Sequence, residues 1–184
     1  MEFKNIASLI KQKNFFDAKI GLLELINNSE NLENNYNNIY FTLSQVCIQL
    51  NQLKESKEYL IKHLEINPKD CEAFLNLATL QLKTRDIENT EKTYKKILSI
   101  NKNYLPAIVN LAIFYEGTGK IDNAIKYYQF ARNLDPNNLN FYYNLIRISP
   151  DYLSDKKINF IKELIKTEKL SKKERYLANL IFSE

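Results

Sequence analysis

Apolar residues in segment 105–138 recur at the spacing of two helices joined by a short polar turn. The first series follows the i, i+3, i+4, i+7 spacing of one helix face, with Ile108, Leu111, Ala112 and Tyr115. The pattern then breaks around Gly119, a residue suited to the left-handed conformation that often follows a helix. A second apolar series ends at Pro136, because proline cannot continue a helix from within. The segment is predicted to be a helical hairpin.

This pattern repeats along the chain with a period of 34 residues. Asn76, Asn110 and Asn144 are spaced by that interval, and a leucine follows each of them. A period of this length is typical of stacked supersecondary units, since one unit cannot bury its own apolar face. The chain is therefore predicted to be all-α.

The repeat resembles the tetratricopeptide repeat, which has a fixed series of apolar, small and aromatic slots and a closing proline. In segment 105–138 these slots hold Ile108, Leu111, Ala112, Tyr115, Ala124, Tyr128 and Pro136. Segments 37–70 and 71–104 keep the pattern, although Arg85 replaces the turn glycine and Lys102 the closing proline. The resemblance implies an α-solenoid of antiparallel helix pairs that forms a right-handed superhelix.

The pattern is less regular outside these three repeats. Residues 1–30 are predicted to form a degenerate first repeat, followed by an Asn-rich surface loop at 27–38. Residues 139–184 are predicted to hold a partial repeat and C-terminal helices, the last of which begins at a capping box of Ser171 and Glu174. Because the chain stops directly after this apolar helix, we expect it to be the start of a longer protein.

Composition narrows the class of protein further. The chain has only 3 Gly and 4 Pro, which leaves few residues suited to β-hairpins and sharp turns. Its net charge is +4, and its Lys and Glu residues are interspersed along the sequence. That interspersion is typical of a solvated surface and argues against a nucleic-acid partner. No apolar run suits a signal peptide or a membrane span, and Cys47 and Cys71 form no disulfide framework. We expect a cytoplasmic protein without cofactor, metal, nucleic-acid or membrane partner.

The resemblance also implies a concave groove, lined by the first helix of each repeat, that receives a peptide segment of a partner. The residues predicted to bind the peptide are Phe41, Thr42, Gln45, Leu75, Asn76, Thr79, Val109, Asn110, Ile113, Tyr143, Asn144 and Arg147. The asparagines resemble the ladder in O-linked N-acetylglucosamine transferase and kinesin light chains, whose amides hold a peptide backbone. An amide can satisfy both the donor and the acceptor of a peptide group. The alternative is that Asn is simply frequent in this Asn-rich chain.

Other chemistries fit the sequence less well. The carboxylate clamp that grips chaperone tails needs basic residues where this chain has, for example, Phe41 and Leu75. The stretch 117–120 lacks the remaining residues of a phosphate loop and is predicted to be the interhelical turn. His63 is predicted to pack in a second helix or to make a hydrogen bond there, because no catalytic partner is evident.

The sequence thus predicts a protein interaction scaffold, and no residue pattern predicts catalysis by the chain itself. One alternative is the N-terminal repeat region of a larger transferase, of the sulfotransferase or O-linked N-acetylglucosamine transferase type, with its catalytic domain beyond Glu184. A further alternative is self-association through the C-terminal helix. The identity of the partner is not encoded in any motif.

Overall fold

The computed structural model describes residues 3–27, 36–149, 155–167 and 171–182, whose regular structure is helical throughout. The helices are α1 (Phe3–Lys11), α2 (Phe15–Asn27), α3 (Tyr36–Gln49), α4 (Leu53–Ile66), α5 (Cys71–Lys83), α6 (Ile87–Ile100), α7 (Leu105–Gly117), α8 (Ile121–Leu134), α9 (Leu139–Ile148), α10 (Asp155–Thr167) and α11 (Lys172–Ile181). The all-α prediction is confirmed. Of the loop predicted at 27–38, residues 28–35 lie outside the described part, and α3 already begins at Tyr36.

Consecutive helices pack as hairpins, most extensively α3 with α4, α5 with α6 and α7 with α8. Each hairpin turn is only a few residues long, so the paired helices run antiparallel. Small residues permit the close approach, as shown by Ser44 and Ser56, both fully buried. The Ser56 hydroxyl donates to the Ser44 carbonyl at 2.9 Å, which satisfies a polar group that would otherwise be costly to bury.

The same helix cap recurs at successive hairpin turns. Lys13, Asn51, Arg85 and Gly119 all have positive φ, between 58° and 75°. In each turn this residue donates its N–H to the carbonyl three residues earlier, and the next residue donates to the carbonyl five residues before itself. These two bonds define the Schellman motif. The predicted turn at Gly119 is confirmed, and α1, which lies in the predicted degenerate first repeat, ends in the same way at Lys13.

The helices divide into two compact units, of which unit 1 ends at Ile100 and unit 2 begins at Asn101. In unit 1, one apolar cluster joins α1, α2 and α3 around Ile6, Leu22 and Leu43, and a second joins α4 and α5 around Leu60 and Leu77. Burying each of these side chains stabilises the fold by roughly 1.5–3 kcal/mol.

In unit 2, α9 contacts both α8 and α11. The buried side chains come from each of these helices and from α7, and include Ile108, Leu111, Tyr128, Leu145 and Ile181. The predicted capping box is present at the start of α11: the Glu174 N–H donates to Ser171 Oγ, and the Ser171 N–H to Glu174 Oε2. The C-terminal helix is therefore held to α9 by an apolar face and begins at a fixed residue.

Candidate functional site

Unit 2 contains a hollow of about 460 Å³ between the start of α7 and the start of α9. We call it the unit 2 hollow; it is lined by Leu105, Pro106, Val109, Asn110, Asn138, Asn140, Phe141 and Asn144. Pro106 lies in the first turn of α7, where a missing backbone N–H leaves no helical hydrogen bond unmade. The described lining therefore combines side-chain amides with apolar surface and carries no charge.

The amides in this hollow divide into two kinds. Asn138 is the N-cap of α9: its Oδ1 accepts from the Asn140 N–H at 3.2 Å and from Asn140 Nδ2 at 2.8 Å. Asn110 and Asn144 are half-buried, and their side chains make no hydrogen bond within the described part of the chain. Asn138 and Asn140 thus bond to each other at the start of α9, whereas Asn110 and Asn144 keep their donors and acceptors available for a ligand.

Three of the residues predicted to bind peptide line this hollow, namely Val109, Asn110 and Asn144. Ile113 and Tyr143 lie on the same two helices but outside the lining, and Ile113 is 50% exposed.

Arg147 also lies outside the unit 2 hollow, because it is bound by Glu116 from α7. Its Nη1 lies 2.7 Å from Glu116 Oε1, and its Nη2 donates to Oε2 at 2.8 Å. The hydroxyl of the buried Tyr128 donates to the same Oε2 at 3.0 Å. The hydrogen bond from Arg147 lowers the pKa of the Glu116 carboxyl, and burial raises the pKa of Tyr128. Arg147 therefore joins α9 to α7 and is not a free cation offered to a ligand.

Unit 1 contains a hollow of about 570 Å³, which we call the unit 1 hollow. Phe41, Thr42 and Gln45, all predicted to bind peptide, line it together with Val46 and Gln49 from α3. The opposite wall consists of Ile10, Lys11, Lys13 and Phe15, from α1, the turn and α2. None of these four residues was predicted to bind peptide, although the apolar pattern places them in the predicted degenerate first repeat.

The remaining predicted residues, Leu75, Asn76 and Thr79, lie on α5 in unit 1 and line neither hollow. The Thr79 hydroxyl donates to the Leu75 carbonyl at 2.9 Å, so it is engaged within its own helix. Asn76 is half-buried and makes no side-chain hydrogen bond among the described residues.

His63 is buried and hydrogen-bonded, as predicted. Its Nε2 lies 2.8 Å from Asp70 Oδ2, and its ring centroid lies 5.2 Å from that of Phe41. Asp70 is the N-cap of α5, and its Oδ1 accepts from the N–H groups of Glu72 at 2.9 Å and Ala73 at 3.0 Å. Burial acts to raise the pKa of Asp70, but the hydrogen bonds from Ala73 and His63 outweigh it, so that the pKa lies below its usual value. The pair ties α4 to the start of α5.

The described residues contain neither a metal-binding cluster nor a membrane-spanning helix. No group of three or more His, Cys, Asp or Glu side chains there is arranged to hold a metal ion. No helix in those same ranges has both the length and the apolar character needed to cross a membrane.

The family model of the tetratricopeptide repeat matches residues 38–70, 72–104 and 105–138, which together make up more than half of the chain. The chain belongs to the tetratricopeptide repeat family. The matched segments correspond to the helix pairs α3–α4, α5–α6 and α7–α8, apart from the first two residues of α3 and the first residue of α5. The expected fold class is therefore confirmed by the family as well as by the helices.

Solved structures of this fold are similar to the chain at low sequence identity. MamA superposes with a TM-score of 0.71 at 16% identity, covering 90% of this chain and 94% of MamA. YrrB, a TPR protein with an unusual peptide-binding site, gives 0.65 at 16% identity over 97% of this chain and 89% of YrrB. The first TPR of Spaghetti (RPAP3), bound to the HSP90 peptide SRMEEVD, gives 0.58 at 17% identity, covering 68% of this chain and 100% of its own. No curated protein matches the sequence.

Proposed function

We propose that this protein is an interaction scaffold whose unit 2 hollow binds an extended segment of a partner protein. The observation that carries the proposal is the pair Asn110 and Asn144, whose half-buried amides have no hydrogen-bond partner among the described residues and line one hollow. The polar atoms of both amides remain accessible to water in the free chain. A ligand that supplies both a donor and an acceptor can replace this water by direct hydrogen bonds.

A peptide main chain has the chemistry that this hollow requires. Each peptide group offers one donor and one acceptor, which a primary amide can satisfy at the same time whatever the sequence of the ligand. Leu105, Val109 and Phe141 supply apolar surface beside the amides, where a side chain of the ligand can be desolvated. The described lining has no charge, so we expect binding here to depend little on ionic strength.

Two structural neighbours support this proposal. YrrB is described as having a peptide-binding site, and the Spaghetti (RPAP3) repeat domain was solved with a bound peptide. Both share the repeat fold with this chain, and the fold presents the first helices of adjacent repeats side by side. Family membership therefore raises the expectation that the hollow receives a peptide.

The proposal is tested with peptides selected from a random library against the whole chain, whose affinities are then measured by fluorescence polarisation. Replacing Asn110 or Asn144 by alanine removes both hydrogen bonds of one amide. We expect each variant to bind the selected peptides about 5- to 100-fold more weakly. The matched control is Asn123→Ala, an exposed asparagine on α8 in the same unit, which we expect to leave the affinity unchanged.

A second arm tests recognition of the main chain directly. Methylating one backbone nitrogen of a selected peptide removes a donor without changing its side chains. At the position held by an asparagine, this change should weaken binding to the wild type but not further weaken binding to the matching alanine variant. Equal affinities for wild type, Asn110→Ala and Asn144→Ala, with unchanged melting temperatures, would refute the proposal.

A further inference from the structure

We infer that the unit 1 hollow selects a protein segment in which a bulky apolar residue is flanked by acidic side chains. The inference rests on the proposed function, because it assumes that the chain binds segments of other proteins. It concerns a different hollow and a different chemistry. The observations that carry it are the charge, the lining and the backbone geometry of the wall formed by Ile10, Lys11, Lys13 and Phe15.

The charged residues in the described lining of this hollow are all positive. Lys11 and Lys13 are exposed and form no ion pair within the described residues, and the described lining contains no acidic side chain. The unit 2 hollow differs, because its described lining has no charged residue at all. A ligand that brings carboxylates to the unit 1 hollow is thus complementary to two cations that nothing described neutralises.

Besides the two lysines and the uncharged polar residues Thr42, Gln45 and Gln49, the lining of this hollow is apolar. Ile10 and Phe15 form one side of the hollow, and Phe41 and Val46 of α3 form the other. The cavity of about 570 Å³ lies within the range of sites that enclose a ligand. The ring of Phe41 also contacts that of His63, at 5.2 Å between centroids. The hollow therefore offers a fixed receptacle for one large apolar side chain.

The wall that carries the lysines is preorganised by its helix cap. The Lys13 N–H donates to the Ile10 carbonyl at 3.0 Å, and the next N–H, of Asn14, donates to the Leu9 carbonyl at 2.8 Å. These bonds hold the backbone of Lys13 at φ 60° and so fix the direction of its Cα–Cβ bond. Little backbone entropy is lost when a ligand contacts this wall.

The order of residues in the ligand follows from strand geometry. Successive side chains of an extended segment point in opposite directions. When one apolar side chain enters the hollow, its two neighbours point back out of it, to the solvent side, where the Lys11 and Lys13 side chains are exposed. Acidic residues next to the apolar one therefore meet the lysines. Two cations are too few for a nucleic-acid strand, which is held through many phosphate contacts.

The test uses three synthetic peptides with blocked termini and one shared apolar residue, flanked by Glu, by Ser or by Lys. Their affinities for the whole chain are measured by fluorescence polarisation at low and high salt. We expect the Glu-flanked peptide to bind about 3- to 30-fold more tightly than the Ser-flanked peptide at low salt, and the Lys-flanked peptide to bind most weakly.

The double variant Lys11→Gln, Lys13→Gln is expected to remove this preference. Its matched control is Lys54→Gln, Lys83→Gln, which neutralises two exposed lysines of the same unit outside the hollow and should keep the preference. The inference is overturned if the three peptides bind alike, if the control loses the preference equally, or if an oligothymidylate probe binds more tightly than the Glu-flanked peptide.

The two proposals can fail separately. The variant Asn110→Ala, Asn144→Ala should bind the Glu-flanked peptide as the wild type does; loss of that binding would place the peptide in unit 2 and overturn the inference alone. If peptides selected from the library ignore those asparagines while the Glu preference still depends on Lys11 and Lys13, the proposed function fails and the inference stands.

Discussion

Replacing Glu116 by glutamine tests how the start of unit 2 is held together. The carboxylate accepts two bonds from Arg147, at 2.7 and 2.8 Å, and one from Tyr128 at 3.0 Å. The side chains of Glu116 and Arg147 are 23% and 38% exposed, which places this ion pair between the surface and buried classes. Exposed pairs contribute at most about 1 kcal/mol, whereas breaking a buried pair costs about 3–5 kcal/mol. Glutamine keeps one acceptor for Tyr128, so we expect a loss of about 1–2 kcal/mol.

The loss should depend on pH with a definite sign. The pKa of Glu116 in the folded chain lies below its ordinary value of 4.5, so the folded state favours the charged carboxylate. The stabilisation is therefore fully present above the unfolded pKa and disappears as the pH falls through the lower, folded value. The difference between wild type and variant should be full at about pH 7 and smaller at about pH 3.

The assay is urea unfolding followed by far-ultraviolet circular dichroism at both pH values. The control is Glu88→Gln, because Glu88 pairs with Lys92 on an open surface where the two side chains are 79% and 65% exposed. That variant should lose less than about 0.5 kcal/mol at either pH. An equal loss for both variants, or a loss at Glu116 that is as large at about pH 3 as at about pH 7, would contradict this account of the ion pair.

Two further predictions concern helix termini. Gly119→Ala should destabilise the chain by roughly 0.5–1.5 kcal/mol, because the backbone φ of Gly119 is +75°. Gly117 has open space around it and an ordinary φ, so Gly117→Ala should be neutral or slightly stabilising. Arg85 has a φ of 59°, so Arg85→Gly should stabilise the chain by up to about 1 kcal/mol. Urea unfolding measures all three, and the same effect at both glycines would contradict the assignment of the left-handed turn. Asp70→Ala removes the cap of α5 and the hydrogen-bond partner of the buried His63, so we expect the free energy of unfolding to fall by about 2–4 kcal/mol. Asp70→Asn should lose less stability, because asparagine keeps the cap. Equal losses for the two variants would mean that only the charge of Asp70 matters.

The helix pairs and their turns could be predicted from sequence because they depend on local signals. Apolar spacing sets the buried face of each helix, and the residue after the helix either tolerates a left-handed conformation or does not. That signal is plain at Gly119 but hidden at Lys13 and Asn51, which adopt the same conformation without being glycine. The register of the repeats, and not the residue type, identifies these positions.

The candidate site could be predicted only in part. Arg147 is bound by Glu116, which lies 31 residues earlier, and no pattern in the sequence specifies that two side chains from different repeats will pair. The lysines of the unit 1 hollow lie in the predicted degenerate first repeat, whose pattern is too weak to assign a lining. The amides of Asn138 and Asn140 line the unit 2 hollow but serve the helix cap, a role that depends on three-dimensional geometry.

The alternatives drawn from the sequence remain predictions. No described residue bears on whether these repeats precede a transferase domain, and self-association through α11 has a direct test in light scattering at several protein concentrations. The absence of catalysis by the chain itself likewise stays a prediction.

The measurement that tests the central claim most directly is nuclear magnetic resonance of the side-chain amides while a library-selected peptide is titrated into the whole chain. The Nδ2 resonances of Asn110 and Asn144 are assigned with the two alanine variants. We expect both to shift with the dissociation constant found by fluorescence polarisation, while the resonance of Asn123 stays in place. Saturation of the chain with peptide while both resonances remain unmoved would contradict the account.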